Sequence, residues 1–226
     1  MSAPALATPI TGEGSAPWRL AHVLRVSLAK LILAAYRTRL LGLANVPADG
    51  GYVIAGNHVS YLDPVLLWCG VPRPTHFIAR QDLFDAPGIG WLLPRVWAIP
   101  IKRASADREA IGRATSLLKH GEPVGIFPEG TRQASGAGAE LGEAHSGVAF
   151  IAGRAGAPVV PVGISGTERA LPRGAWFPRF PRVTISFGEP VYPEQFAELG
   201  RKERLDAMTA QIMRRIAEQR ALAEKG

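Results

Sequence analysis

Gly51-Tyr52-Val53-Ile54-Ala55-Gly56-Asn57-His58-Val59-Ser60-Tyr61-Leu62-Asp63-Pro64 reads as a strand, a turn and the start of a helix. The run to Gly56 is short and apolar, as a buried strand is. Asp63-Pro64 suits a helix start, because Asp is a good N-cap and the N–H that Pro lacks would be unpaired in the first turn anyway. His58 therefore falls at a strand end, one short loop ahead of a carboxylate, where open α/β sheets carry their chemistry. The His–Asp spacing does not place the two on one helical face, but across a turn they can meet. A carboxylate accepting the Nδ1 proton would fix the imidazole tautomer and leave Nε2 free to take a proton. That is the His–Asp half of a catalytic triad without its nucleophile, and a substrate could supply the missing hydroxyl. The plain alternative is a satisfied turn in which Asp63 only caps the helix.

Toward the N-terminus, residues 1–17 are rich in Pro, Ala, Thr and Gly and read as a disordered tail. No basic segment precedes an apolar one there, so no signal peptide is expected. Residues 18–43 contain Arg19, Arg25, Lys30, Arg37 and Arg39 and no acid, with Leu20, Leu24, Leu28, Leu31 and Ala35 at helical spacing. This is an amphipathic basic helix, ended by Gly42. Its uncharged runs fall far short of the roughly 20 residues that cross a bilayer. Such a helix suits an anionic lipid interface, and its stripe would equally serve to pack on a core.

Toward the C-terminus, strands are expected at 75–79, 97–101, 124–127, 159–164 and 182–187, with helices at 64–69, 105–120, 145–156 and 194–225, the last broken near Gly200. Pro161 within its strand implies an edge, a bulge or a strand end. Residues 133–144 are Gly- and Ala-rich and read as a flexible loop. His76 has no partner nearby in sequence and reads as structural or exposed. The alternation predicts a single α/β domain with a mostly parallel central sheet flanked by helices, preceded by the amphipathic segment. In a parallel sheet, the ends that carry His58 and Asp63, Arg103, and Glu129-Gly130-Thr131-Arg132 would share one edge and one crevice. Gly130 permits a tight turn, Thr131 offers a hydroxyl and an N–H, and Arg132 offers a planar fork for phosphate or carboxylate oxygens. With Arg103 as a second cation, this set suits a phosphate monoester. Glu129 would orient an Arg or accept a bond from a substrate hydroxyl. A local salt bridge between Glu129 and Arg132 is the plainer reading of those two alone.

The whole chain has 226 residues, a formal net charge of +7 and a single cysteine, Cys69. The charge points to an anionic partner. One cysteine excludes an internal disulfide and a cysteine-based zinc framework, and it fits a reducing compartment. No basic motif interleaved with aromatics appears, so nucleic acid is not expected.

Asn57-His58-Val59-Ser60-Tyr61-Leu62-Asp63 and Phe127-Pro128-Glu129-Gly130-Thr131-Arg132, with Ile99-Pro100-Ile101-Lys102-Arg103 between them and Val159-Val160-Pro161-Val162-Gly163 after, resemble four ordered blocks of one family. The chain is similar, over about residues 38–192, to the 1-acyl-glycerol-3-phosphate acyltransferases within the wider glycerolipid acyltransferase group. The resemblance implies acyl transfer from a thioester, acyl-CoA or acyl carrier protein, to the 2-hydroxyl of a lysophosphatidate, giving phosphatidic acid for phospholipid biosynthesis. It implies an acyltransferase domain over residues 44–226, His58 as general base, and Asp63 as the group that orients it. It gives phosphate binding to Arg103, Glu129, Gly130 and Arg132, to which the hydroxyl and N–H of Thr131 are added from the reading of the residues themselves. Asn57, Pro161 and His145 are left as structural or acyl-site residues. Neither a metal nor a bound cofactor is implied, the thioester being a substrate. With residues 18–43 on anionic lipid, the chain is expected at the cytoplasmic face of a membrane, peripheral or monotopic.

Two departures stand out. His145-Ser146-Gly147 falls where family members often carry Lys two residues before the Gly. A Lys there is a fixed cation, whereas a His carries little charge at neutral pH, which bears on the acceptor's head group. Arg80-Gln81-Asp82-Leu83 replaces a more usual Lys-rich stretch ending in Glu-Leu and bears on the donor. The rival readings are acyl transfer to another lysolipid (a lysophospholipid or a lyso-aminolipid), a phosphoesterase with His58 as nucleophile, and a non-catalytic basic membrane-surface protein.

Overall fold

The run after Gly51 is a central strand of a seven-stranded sheet. The computed structural model describes residues 16–86, 89–101, 108–129, 146–170 and 179–226, with the side chains of 16–25, 89, 92, 95 and 96 outside that description. In chain order the elements are α1 (Ala16–Ala35), β1 (Arg39–Leu41), β2 (Val53–Gly56), α2 (Asp63–Gly70), β3 (His76–Arg80), α3 (Gln81–Phe84), α4 (Ile89–Leu92), β4 (Ile99–Ile101), α5 (Arg108–Lys119), β5 (Val124–Ile126), α6 (Gly147–Ala155), β6 (Val159–Ser165), β7 (Thr184–Phe187) and α7 (Arg201–Lys225). The strand order is β1-β7-β6-β2-β5-β3-β4. β4, β3, β5, β2 and β6 run parallel to their neighbours, while β7 turns antiparallel to β6 and carries β1 parallel to itself.

Alternation along β2 divides the core between the two faces of the sheet. Val53 and Ala55 face a layer built from Ala110, Ala114, Leu118, Val148, Ile151, Ile212 and Ile216 of α5, α6 and α7. Ile54 faces the other layer, with Tyr36, Leu66, Leu67, Val160, Val162, Ile185 and Phe187. Leu66 and Leu67 are fully buried, and each contributes about 1.5–3 kcal/mol by leaving water. The α/β architecture with helices on both faces is thus the one expected.

Three expectations are corrected. The basic helix was extended through 18–43, but it stops at Ala35, and residues 39–41 form an edge strand on β7. Arg37 takes a left-handed φ of 44°, which ends the helix before Gly42 does. Asp63 is not the N-cap of α2. Leu62 holds that place, and Asp63 is the first helical residue with Pro64 behind it. Pro161 lies in the middle of the sheet rather than at an edge or a strand end, since β6 is flanked by β2 and β7. The third option, a bulge, is what accommodates it. Between Val162↔Phe187 and Val159↔Val191 the partner chain gains one residue, and Gly188 N–H donates to the Pro161 carbonyl at 2.9 Å. The N–H that Pro lacks therefore falls where the ladder is already interrupted. The expected break near Gly200 is present, with a 3-10 turn over Pro193–Phe196 and α7 beginning after Gly200.

α1 presents two apolar sides. Ala29 is buried, and Ile32 and Leu33 pack on the core beside α2, while Leu28 and Leu31 are 54% and 68% exposed. Among the described residues no helix is long and apolar enough to cross a membrane.

Candidate active site

Because β2, β5, β3 and β4 are parallel, their C-terminal ends Gly56, Ile126, Arg80 and Ile101 lie on one sheet edge. The chain leaving β2 is tied down at once. Asn57, buried, continues the sheet with its side chain: Nδ2 donates to the Ile164 carbonyl at 3.0 Å, and Ile164 N–H donates to Oδ1 at 2.8 Å. Its amide thus takes the place of a backbone amide in the β2–β6 ladder. This gives Asn57 a structural role, as does the place of Pro161 beside Ala55 within the sheet.

His58 and Asp63 meet. His58 Nδ1 donates to Asp63 Oδ2 at 2.8 Å, with the carboxylate wholly buried and the imidazole 17% exposed. The same Oδ2 accepts the N–H groups of Val59 at 2.8 Å and Ser60 at 2.7 Å. A carboxylate that serves its own preceding turn cannot also reach forward to cap α2, which is the physical reason for its place inside the helix. The second oxygen, Oδ1, accepts the buried hydroxyl of Thr167 at 2.6 Å. Among the described residues Nε2 of His58 makes no hydrogen bond, so the ring is held at one nitrogen only. Its flat face stacks on Phe127, with centroids 4.2 Å apart and planes at 20°, and Phe127 in turn stacks on Phe77 at 5.9 Å. The second motif therefore touches the first through its aromatic residue.

Glu129, three residues past the end of β5, is 4% exposed. Arg103, Gly130, Thr131, Arg132 and His145 lie outside the described residues, as does the loop 133–144. Arg80 at the end of β3 brings a cation to the same edge. Its Nε donates to Asp82 Oδ1 at 2.8 Å, and this bond raises the guanidinium pKa still further. His76 lies at the start of β3, on the opposite sheet edge, where Nδ1 is 3.3 Å from the Trp97 carbonyl and burial lowers its pKa. That matches its reading as structural. Among the described residues no three His, Cys, Asp or Glu side chains gather as a metal site would require.

Sequence reasoning missed Phe127 as the ring under His58 and Thr167 as the second partner of Asp63. Phe127 stood inside a quoted motif, so a signal existed. Thr167 is 104 residues from Asp63 and carried none.

A parallel sheet edge with an oriented imidazole is a setting for acid–base group transfer, and sequence comparison gives its class. The chain belongs to the Acyltransferase family, whose profile matches residues 37–165 and so spans His58, Asp63 and 127–132. Within that class it groups with proteins named 1-acyl-sn-glycerol-3-phosphate acyltransferase. The one from Bacillus subtilis is 36% identical over 175 residues, which cover 77% of this chain and 83% of that protein. The chloroplastic BAT2 of Brassica napus is 35% identical over 62% of this chain, a span that is 40% of the plant protein. The crystal structure of the 1-acyl-sn-glycerophosphate acyltransferase PlsC from Thermotoga maritima matches with a TM-score of 0.66 at 27% identity, covering 89% of this chain and 83% of that one.

Proposed function

We propose that this acyltransferase moves a fatty acyl group from a thioester, acyl-CoA or acyl carrier protein, to the 2-hydroxyl of 1-acyl-glycerol-3-phosphate. The observation that carries this reading is the buried Asp63 bonded to His58 Nδ1, with Nε2 left unbonded among the described residues. Nε2 takes the proton of the acceptor hydroxyl as its oxygen attacks the thioester carbonyl. The tetrahedral intermediate then collapses, the C–S bond breaks, and the imidazolium returns the proton to the departing thiolate. The products are phosphatidic acid and a free thiol. The substrate hydroxyl stands where a triad serine would, so no acyl-enzyme forms. A placed base of this kind contributes about 10²–10⁴-fold in rate. The reaction written this way calls on neither a metal nor a bound cofactor.

The acceptor's phosphate is assigned to Arg103, Gly130, Thr131 and Arg132, with Glu129 orienting an Arg. Support comes from the parallel strands β4 and β5, which end on the edge that carries His58. The N–H groups of Val59 and Ser60 are engaged by Asp63, so stabilisation of the oxyanion falls to other donors on that edge. The membrane surface is assigned to α1, on the strength of exposed Leu28 and Leu31 beside Lys30. In this reading the enzyme works on anionic lipid at the cytoplasmic face.

The test is an acyl-transfer assay with the purified full chain, oleoyl-CoA and a panel of lysolipids, reading free thiol and lipid product together. Diacyl product from lysophosphatidate alone supports the reading. Product only from another lysolipid, the outcome that His145 in place of Lys would favour, keeps the chemistry and replaces the acceptor. Thiol without lipid product under every acceptor, or no thiol with either CoA or carrier-protein donor, refutes it.

A further inference from the structure

Among the described residues, Thr167 is the one partner of Asp63 that comes from outside its own loop. All three N–H donors converge on Oδ2, and the hydroxyl of Thr167 alone meets Oδ1. Both residues have no exposed surface. Their 2.6 Å separation is in the range of an O–H···O⁻ bond, the stronger kind. A carboxylate can turn about its Cβ–Cγ bond and share three donors between its oxygens. The hydroxyl on Oδ1 opposes that turn.

The chain goes to some length to put Thr167 there. Thr167 opens a 3-10 turn just beyond β6, and Gly166 before it takes φ 99°, a conformation open chiefly to glycine. A Cβ at Gly166 would lie 2.3 Å from the Arg182 carbonyl oxygen, so a side chain is excluded as well. Glu168 accepts the Gly166 N–H at 2.8 Å and fixes the turn. Three residues earlier, Ile164 holds Asn57 by two bonds. The end of β6 thus grips the loop that carries His58 both before and after the imidazole.

We infer that Thr167 is a positioning residue of the acyltransferase site: its hydroxyl pins Oδ1 of Asp63 so that Oδ2 stays aimed at His58 Nδ1. The inference rests on the reading of His58 as general base, and the experiment separates the two. Thr167→Val keeps the shape and removes the donor, whereas Thr167→Ser keeps the donor and removes a methyl. Each purified full-length variant is assayed for kcat and KM with oleoyl-CoA and lysophosphatidate, its melt is recorded, and the His58 ring tautomer is read from its 15N shifts. Thr167→Val is expected to lower kcat by about 10–100-fold at nearly unchanged KM, the loss of one hydrogen bond to a charged group. It should also turn the single Nδ1–H tautomer of His58 into a mixture. Thr167→Ser should restore most of the turnover and the single tautomer. If Thr167→Val does not fold, Thr167→Ala takes its place in the same comparison.

Full kcat with an unchanged His58 spectrum overturns the inference. So does equal impairment in the Ser and Val variants, because the hydroxyl would then not be the agent. So does a loss that disappears once turnover is expressed per folded molecule. His58→Gln with wild-type turnover would instead refute the base assignment, while the tautomer readout would still decide what Thr167 does.

Discussion

Replacing Asp63 by Asn removes one formal charge and leaves an acceptor for the three N–H donors that surround it. The orientation of the amide is dictated by the N–H groups of Val59 and Ser60, both of which point at Oδ2. An NH2 there would face two donors, so the amide oxygen must take that place and the NH2 must face Thr167, whose oxygen can accept. His58 Nδ1–H therefore keeps its acceptor and its tautomer, and the variant isolates the charge. Two unit charges about 4 Å apart attract by about 4 kcal/mol at an effective dielectric near 20. Losing that support for the transient imidazolium should lower kcat by about 10³-fold. Stability should fall by only about 2–3 kcal/mol, since four bonds to a charge become bonds to a neutral amide. Asp63→Ala is the poorer probe. It strands four donors around a side chain with no exposed surface, at about 1–3 kcal/mol each, and threatens the fold itself. Steady-state turnover of Asp63→Asn with lysophosphatidate, alongside its melting curve and the His58 tautomer, gives the answer. A folded variant with the Nδ1–H tautomer and kcat within about threefold of wild type would refute electrostatic support by Asp63.

Other perturbations read different parts of the structure. A methyl at Gly125 would lie 2.3 Å from the Phe77 ring, so Gly125→Ala should push Phe77 against Phe127 and tilt the ring that carries His58. It should cost about 1–3 kcal/mol and lower kcat, with Phe77→Leu restoring part of both, whereas a lower melt at full kcat would show that the stack does not orient His58. Tyr52 is wholly buried, its hydroxyl finds no partner among the described residues, and burial pushes its pKa up to about 12 against the opposing pull of Arg73. Its folded pKa exceeds the unfolded value near 10, so its stabilisation is full below pH 10 and declines by about 3 kcal/mol as the pH rises to 12. Tyr52→Phe should erase that alkaline decline in denaturant melts and add up to about 1 kcal/mol at neutral pH, and an unchanged slope would assign the decline elsewhere. Leu28→Glu with Leu31→Glu should weaken sedimentation with anionic vesicles by at least about tenfold, since each Leu gains about 1.5–3 kcal/mol on leaving water. Unchanged recovery would place the lipid contact on another face.

The parts of this molecule legible in its sequence are those whose causes are local. The turn from β2 into α2 spans few residues, and His58 and Asp63 could be brought together by reasoning about a strand end alone. The gathering of strand ends on one edge followed from strand–helix alternation, because crossover helices enforce parallel strands. Most of what failed had its cause elsewhere in the chain. Residues 39–41 look helical, but the open edge of β7 claims them once Arg37 turns the backbone. Asp63 looks like a cap because caps face forward, and only the local N–H groups of Val59 and Ser60 show that it faces back. Pro161 in a middle strand becomes intelligible only with the extra residue opposite it, on a chain segment that pairs across many intervening residues.

The same distinction separates the reacting group from its supports. His58 and Asp63 lie on one short loop, and a loop alone would let a carboxylate turn and an imidazole swing. Three distant elements remove that freedom: Ile164 of β6 holds Asn57, Thr167 holds Asp63, and Phe127 beyond β5 lies flat against His58. β6 and β5 are the two neighbours of β2. Each flanking strand therefore reaches past its own end to brace the loop between them, from one side through hydrogen bonds and from the other through a ring face. A site braced in this way should lose catalytic rate before it loses stability when either flank is altered. Thr167→Val and Gly125→Ala test the two flanks separately. Because they act on different partners of one imidazole, their effects on kcat should be less than additive when combined, and strictly independent losses would argue that the two flanks hold different things.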